Sequence, residues 1–143
     1  MFRVLTPDFA VAGQLQPEDM ATAAAQGYAL VINNRPDGEE PGQPGADAMA
    51  EAARSAGLEY HYIPLRGGGL TMDHISQTEA VLAQGKGPIL AYCRSGMRST
   101  TLWALAKAKA GEDPQELAAQ AGAAGYDLGP VAGLMEQLKH GNM

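Results

Sequence analysis

A mainly parallel α/β sheet flanked by helices is what this sequence predicts, and three observations predict it. Apolar runs of four or five residues alternate with stretches of helical length. The runs are nearly continuous in apolar character, as strands buried on both faces are. Turn residues, mostly glycine and proline, punctuate the junctions. Strands alternating with helices imply parallel pairing, with helices covering both faces of the sheet.

The elements follow in order. Phe9-Ala10-Val11-Ala12-Gly13 reads as a short strand. Pro17 opens a helix at its first position, where a missing N–H costs nothing, and Gly27 closes it. Tyr28-Ala29-Leu30-Val31-Ile32 is a buried strand, and Asn33 to Gly45 is a long loop rich in Pro, Gly, Asn and Glu. Loops of that length without structure of their own are more often functional than idle. An alanine-rich helix runs to about Ala56 and ends at Gly57. Tyr60-His61-Tyr62-Ile63 is the next strand, stopped by Pro64. Thr71 caps a helix reaching about Gln84, with Asp73 in the first turn complementing the helix dipole. Pro88-Ile89-Leu90-Ala91-Tyr92 is the last strand, and a helix follows from about Arg98 to Ala110. Asp113-Pro114 starts another helix and Gly129-Pro130 a final one. No repeat or linker divides the chain, so one domain over residues 1–143 is expected.

Composition narrows the partners. A net charge of −6 argues against nucleic-acid or acidic-membrane binding, both of which need a dense basic face. The N-terminal residues Met1 to Asp8 lack the apolar run of a signal peptide, and no stretch is long enough to span a membrane. A cytoplasmic location is therefore expected. The single cysteine, Cys93, excludes an internal disulfide, and no metal-ligand spacing is present, so neither metal nor cofactor is expected.

The strongest chemical signal is Cys93-Arg94-Ser95-Gly96-Met97-Arg98-Ser99, between a strand and a helix. In parallel sheets, ligands bind beyond the carboxyl ends of the strands. A short loop there can turn its N–H groups inward as a nest for an anion. Gly96 permits a dihedral that a side chain would obstruct, and the helix N-terminus adds positive potential. Arg98 can fork two donors onto an oxyanion. The same groups favour a reactive thiolate at Cys93. Ser99 is placed to donate a further hydrogen bond to the sulfur. Expected site residues are thus Cys93 and Arg98 for the chemistry, with Arg94, Ser95, Gly96, Met97 and Ser99 around the bound group.

These residues carry a resemblance. Cys93-x-x-Gly96-x-Arg98-Ser99 is similar to the active loop of cysteine-dependent phosphatases and rhodaneses. The wider chain, from Gly13-Gln14-Leu15 to about Lys107, resembles the bacterial beta-lactamase hydrolase-like phosphatase domains, also described as sulfurtransferases. The stretch Val31 to Glu40, Tyr62-Ile63-Pro64 and the Cys93 loop with Thr100-Thr101-Leu102-Trp103 carry it most specifically. The resemblance implies a dual-specificity-phosphatase-like fold and sulfur or phosphate chemistry. Some members are fused to persulfide-handling enzymes.

Departures from the phosphatase pattern favour sulfur. Four residues separate Cys93 from Arg98, as in rhodaneses, whereas protein phosphatases typically have five. Dual-specificity phosphatases also carry an aspartate general acid just after the Ile-Pro strand end. Here Leu65-Arg66-Gly67-Gly68-Gly69 follows Pro64, and Tyr92 replaces the histidine common before the cysteine. Persulfide transfer needs no such acid, because a thiolate or sulfite leaves unaided.

The expected activity is therefore rhodanese-like sulfur transfer through a Cys93 persulfide, from a small anionic donor to a thiol acceptor. The alternatives are a phosphatase passing through a phosphocysteine on aryl or tyrosine-like phosphates, and a non-enzymatic anion-binding or oxidant-sensing module. Further candidates are Arg35, Asp37, Arg66 and Asp73. Arg35 and Asp37 read equally as site residues or as a turn, with Arg35 paired to Glu39 or Glu40. Asp37 or Asp73 is a substitute acid in the phosphatase reading. Arg66 on its glycine strap would present positive charge to an anionic donor. His61 and His74 read as structural, and Trp103 with Leu102 and Leu105 as core.

Overall fold

The computed structural model describes residues 2–141. Five strands form one sheet in the order β1-β2-β5-β3-β4. They are β1 (Arg3–Thr6), β2 (Phe9–Ala12), β3 (Leu30–Asn33), β4 (Glu59–Tyr62) and β5 (Ile89–Tyr92). The last four are mutually parallel, while β1 pairs antiparallel with β2 at the edge. The helices are α1 (Asp19–Ala25), α2 (Ala46–Ser55), α3 (Met72–Ala83), α4 (Met97–Lys109), α5 (Pro114–Ala123) and α6 (Ala132–Lys139).

Alternation along the strands assigns the two faces. Phe9, Val11, Leu30, Ile32, Ile89 and Ala91 share one core with residues of α3, α4, α5 and α6, including Ile75, Trp103, Leu117 and Met135. Ala10, Ala12, Val31, Leu90 and Tyr92 share the other with Met20 and Ala23 of α1 and Met49 and Ala53 of α2. Trp103 is fully buried and stacks on Phe9 with ring centroids 6.0 Å apart.

The expected α/β architecture is present, with differences at its ends. Strand β1 was not anticipated: only Leu5 of its four residues is buried, so hydrophobic patterning carries almost no signal there. Pro17 lies two residues ahead of α1 rather than at its first position. The amides of Asp19 and Met20 bond back to the carbonyls of Gln16 and Pro17. At Gly129-Pro130 the chain forms a 3₁₀ turn (Gly129–Val131), which passes directly into α6. The other helices begin and end within a residue or two of expectation. Thr71 and Asp113 stand at the N-caps of α3 and α5, and the Asp113 side chain accepts from the Gln115 amide.

What positions the site is register. Ala12, Tyr92, Asn33 and Tyr62 lie side by side as the final residues of β2, β5, β3 and β4. The segments that follow all leave from one edge, with the Cys93 loop at its centre.

Candidate active site

Cys93 directly follows β5 and is 1% exposed. Its amide bonds to the Ala12 carbonyl at 3.4 Å, and the Asn34 amide bonds to the Tyr92 carbonyl at 2.8 Å. The cysteine is thus tied on both sides to neighbouring strands. Gly96 adopts a left-handed φ of +96°, which glycine alone adopts without strain. That turn brings its N–H to within 3.1 Å of the Cys93 Sγ. The Thr100 hydroxyl and amide both donate to the Gly96 carbonyl, at 2.8 and 2.9 Å, and lock the first turn of α4.

Arg98, in the first turn of α4, reaches over the loop. Its Nη1 donates to Glu39 Oε2 and to the Leu65 carbonyl, both at 2.8 Å, and Nη2 donates to Glu39 Oε1 at 2.9 Å. Glu39 holds the Arg98 pKa above its usual value; burial opposes this, and charge attraction to the adjacent Cys93 adds to it. Arg98 and Cys93 are therefore brought together as the sequence predicts, under a carboxylate that it did not assign to Arg98.

The other loop residues make contacts of their own. The Ser95 Oγ accepts from the Met97 amide at 3.3 Å, and Met97 packs against the main core. Arg94 is exposed, and its carbonyl accepts from the Gln14 amide at 3.3 Å. Ser99 corrects an expectation. Its Oγ is buried and has no hydrogen-bond partner among the described residues, so the bond to the sulfur is not made. Ser99 is 1% exposed, like its α4 neighbours Thr100 and Leu102, so its hydroxyl is packed into the interior.

Arg35 and Asp37 also take structural parts. Arg35 is 1% exposed, and each of its three guanidinium nitrogens makes one hydrogen bond. Its Nε donates to Glu39 at 2.8 Å, Nη2 to Glu40 at 3.0 Å and Nη1 to Gln14 at 3.1 Å. It supports the site by holding Glu39. The Asp37 Oδ1 accepts from the Ala46 amide at 2.8 Å, satisfying the first turn of α2. Asp73 is exposed, and its Oδ2 accepts from Gln77 at 2.7 Å. Neither aspartate is among the groups that contact Cys93 or Arg98. Arg66 is exposed and lines a cavity of about 290 Å³ with Pro36, Tyr62, Pro64, Gly69 and His74. The carbonyl of Leu65, its neighbour, is the one bound to Arg98, so this cavity adjoins the loop. His74 is structural: Nδ1 accepts from the Thr71 amide, which leaves Nε2 to donate to the Pro64 carbonyl at 2.9 Å.

Sequence reasoning missed three contributors: Glu39 as the partner of Arg98, Gln14 as a partner of Arg35, and Tyr126, whose hydroxyl donates to the Ser95 carbonyl at 2.9 Å. Glu39 was visible as one of two glutamates after a strand. Tyr126 left no signal, because only the tertiary fold brings it to residue 95.

Known proteins share this arrangement of elements. A crystal structure of a candidate phosphatase from Neisseria meningitidis superposes with a TM-score of 0.81 at 28% identity, covering 94% of this chain and 96% of that one. PTPMT1 superposes with a TM-score of 0.75 at 12% identity, covering 99% and 95%. TpbA of P. aeruginosa, crystallised with phosphotyrosine, does so with a TM-score of 0.61 at 15% identity, covering 95% and 86%. The fold is that of the cysteine phosphatases. No helix among the described residues is long and apolar enough to cross a membrane.

Among curated proteins, the beta-lactamase hydrolase-like protein of Xylella fastidiosa strain 9a5c is 39% identical over 90% of this chain. That of Agrobacterium fabrum is 42% identical over 68%. The chain spans only 30% and 23% of those proteins' lengths. Residues 1–110 match the phosphatase-like domain of beta-lactamase hydrolase-like proteins, and the chain belongs to that family.

Proposed function

We propose that this chain is a sulfurtransferase that carries sulfane sulfur on Cys93. The observation that carries the reading is the short Cys93–Arg98 loop, whose arginine has little capacity left for a phosphate. Three of the five guanidinium N–H groups of Arg98 already donate to Glu39 and Leu65. What remains suits a single small anion, such as a terminal persulfide sulfur, better than three phosphate oxygens. The engagement of Asp37 and Asp73 elsewhere supports the same reading, because sulfur transfer needs no proton donor for its leaving group.

In the proposed reaction the Cys93 thiolate attacks the outer sulfur of thiosulfate or of a low-molecular-weight persulfide. The new S–S bond forms as sulfite or the donor thiolate leaves with the electron pair of the broken one. The Gly96 N–H stabilises the resulting persulfide anion. An acceptor thiolate then takes the outer sulfur and regenerates the Cys93 thiolate, which gives ping-pong kinetics. Arg66 and Arg94, both exposed cations near the loop, draw the anionic donor in.

A second reading is favoured by the comparisons: a cysteine phosphatase passing through a phosphocysteine. The family is described as phosphatase-like, and the structural relatives are described as phosphatases. Without a positioned acid, its substrates would be aryl phosphates, whose leaving groups depart easily.

One experiment separates the two. The reduced protein and its Cys93→Ser variant are incubated with thiosulfate, with glutathione persulfide and with an aryl phosphate, and intact mass and phosphate release are followed. Gain of one sulfur atom, absent in the variant and removable by a thiol, is the expected result. Vanadate-sensitive phosphate release without sulfur gain would replace this reading with the phosphatase.

A further inference from the structure

The C-terminal segment beyond the family match reaches back to the Cys93 loop through one side chain. Tyr126 follows α5 and is 8% exposed. Its hydroxyl donates to the Ser95 carbonyl at 2.9 Å. A Cβ built on Gly96 would lie 2.3 Å from that hydroxyl oxygen, so Tyr126 presses directly on the glycine that makes the turn.

The Ser95 carbonyl and the Gly96 N–H are opposite ends of one planar peptide group. Holding the carbonyl toward Tyr126 aims the N–H the other way, and there it meets the Cys93 Sγ at 3.1 Å. Glycine on one side of this peptide makes its rotation easy, since φ of either sign is open to it. The orientation therefore needs an external hold. Tyr126 is itself fixed: its amide bonds to the Ala121 carbonyl at 2.9 Å, and the Arg3 guanidinium lies 5.4 Å from its ring centroid. Arg3 is in turn held by the Ala124 carbonyl at 3.0 Å. Burial pushes the Tyr126 pKa up from its ordinary value, the Arg3 cation opposes this and Cys93 adds to the rise, so the hydroxyl is protonated and able to donate at neutral pH.

We propose that Tyr126 is a positioning residue for Cys93, fixing the Ser95–Gly96 peptide so that its N–H stabilises the thiolate and any anion formed on the sulfur. The proposal rests on Cys93 as the reacting atom and is indifferent to whether sulfur or phosphorus is transferred.

The test is the pH titration of the Cys93 thiolate by its absorbance at 240 nm, with Cys93→Ser as the blank. Tyr126→Phe keeps the ring and removes one oxygen, and circular dichroism and a thermal melt establish that it is folded. The expected result is a thiolate midpoint moved upward, with the thiolate-to-thiol ratio below the midpoint reduced roughly tenfold, as follows when the freed Ser95–Gly96 peptide turns and its N–H bond to the sulfur is lost. Arg3→Met, which loosens the ring and leaves the hydroxyl, should give a smaller shift in the same direction and serves if Tyr126→Phe does not fold. Titrations matching wild type in the folded variants would overturn the proposal. Sulfur uptake plays no part in this titration, so failure of the sulfurtransferase reading would leave its outcome unchanged.

Discussion

Glu39→Gln isolates the ion pair that covers the Cys93 loop, because glutamine keeps the shape and removes the charge that Arg98 and Arg35 share. The Glu39 carboxyl is lowered from its usual 4.5 to about 2, first by its hydrogen bonds from Arg98, then by Arg35, with burial opposing. At 1.36 kcal/mol per pKa unit, that fall corresponds to about 3.4 kcal/mol. The side chain keeps 23% of its surface exposed, so screening by water and salt reduces this to about 1–2 kcal/mol. A depressed carboxylate pKa gives stability that is complete above the unfolded value and is lost as pH falls through the folded one. Wild type should therefore exceed Glu39→Gln by about 1–2 kcal/mol at pH 7, and the gap should narrow below pH 4.5 and close toward pH 2. Urea unfolding of both proteins at pH 7, 5 and 3.5 measures it. A gap that stays constant across this range, or no gap at pH 7, would refute the assignment of Glu39 as an ionised partner of Arg98.

Four further outcomes follow from the same geometry. Cys93→Ser should fold normally and lose transfer by on the order of 10³-fold or more, since the attacking atom is gone; single-turnover assays read this. Arg66→Ala should raise KM for an anionic donor about fivefold with little change in kcat, and the difference should fade in high salt. Asp37→Ala should lower stability by about 1 kcal/mol through the start of α2, and leave the pH dependence of any aryl phosphate turnover unchanged. Trp103→Ala should cost about 3–5 kcal/mol in denaturant unfolding, because it empties the space between α4 and Phe9.

The core of the fold was legible because buried parallel strands advertise themselves. Leu30–Ile32 and Ile89–Tyr92 are apolar on both faces, and helices covering both faces require that pattern. Strand β1 was not legible, since an edge strand with one buried residue differs little from a polar terminus. The Cys93–Arg98 pairing was legible from spacing alone: a strand, a glycine turn and a helix start leave few places for the two side chains. Arg35 was half legible. Its pairing with Glu39 and Glu40 was read from short separation, but Glu39 bridging on to Arg98, 59 residues away, depends on register between β3 and β5. Ser99 misled because its sequence position in the loop does not state which way its side chain turns on α4. Tyr126 lies 31 residues from Ser95 in a segment with no motif, and side-chain contacts of that range are invisible until the helices are packed.

The placement of β5 has a consequence for motion. It is paired on both edges, by β2 and by β3, whereas Glu39 rides on the connection between β3 and α2, where Gly38 and Gly42 both adopt positive φ. Amide exchange should therefore divide the active region into two kinetic classes. The seat of the sulfur should open only when the whole sheet unravels, while the carboxylate above it sits on a segment free to fluctuate far more often. A local opening of that segment would then leave the nucleophile where it stands.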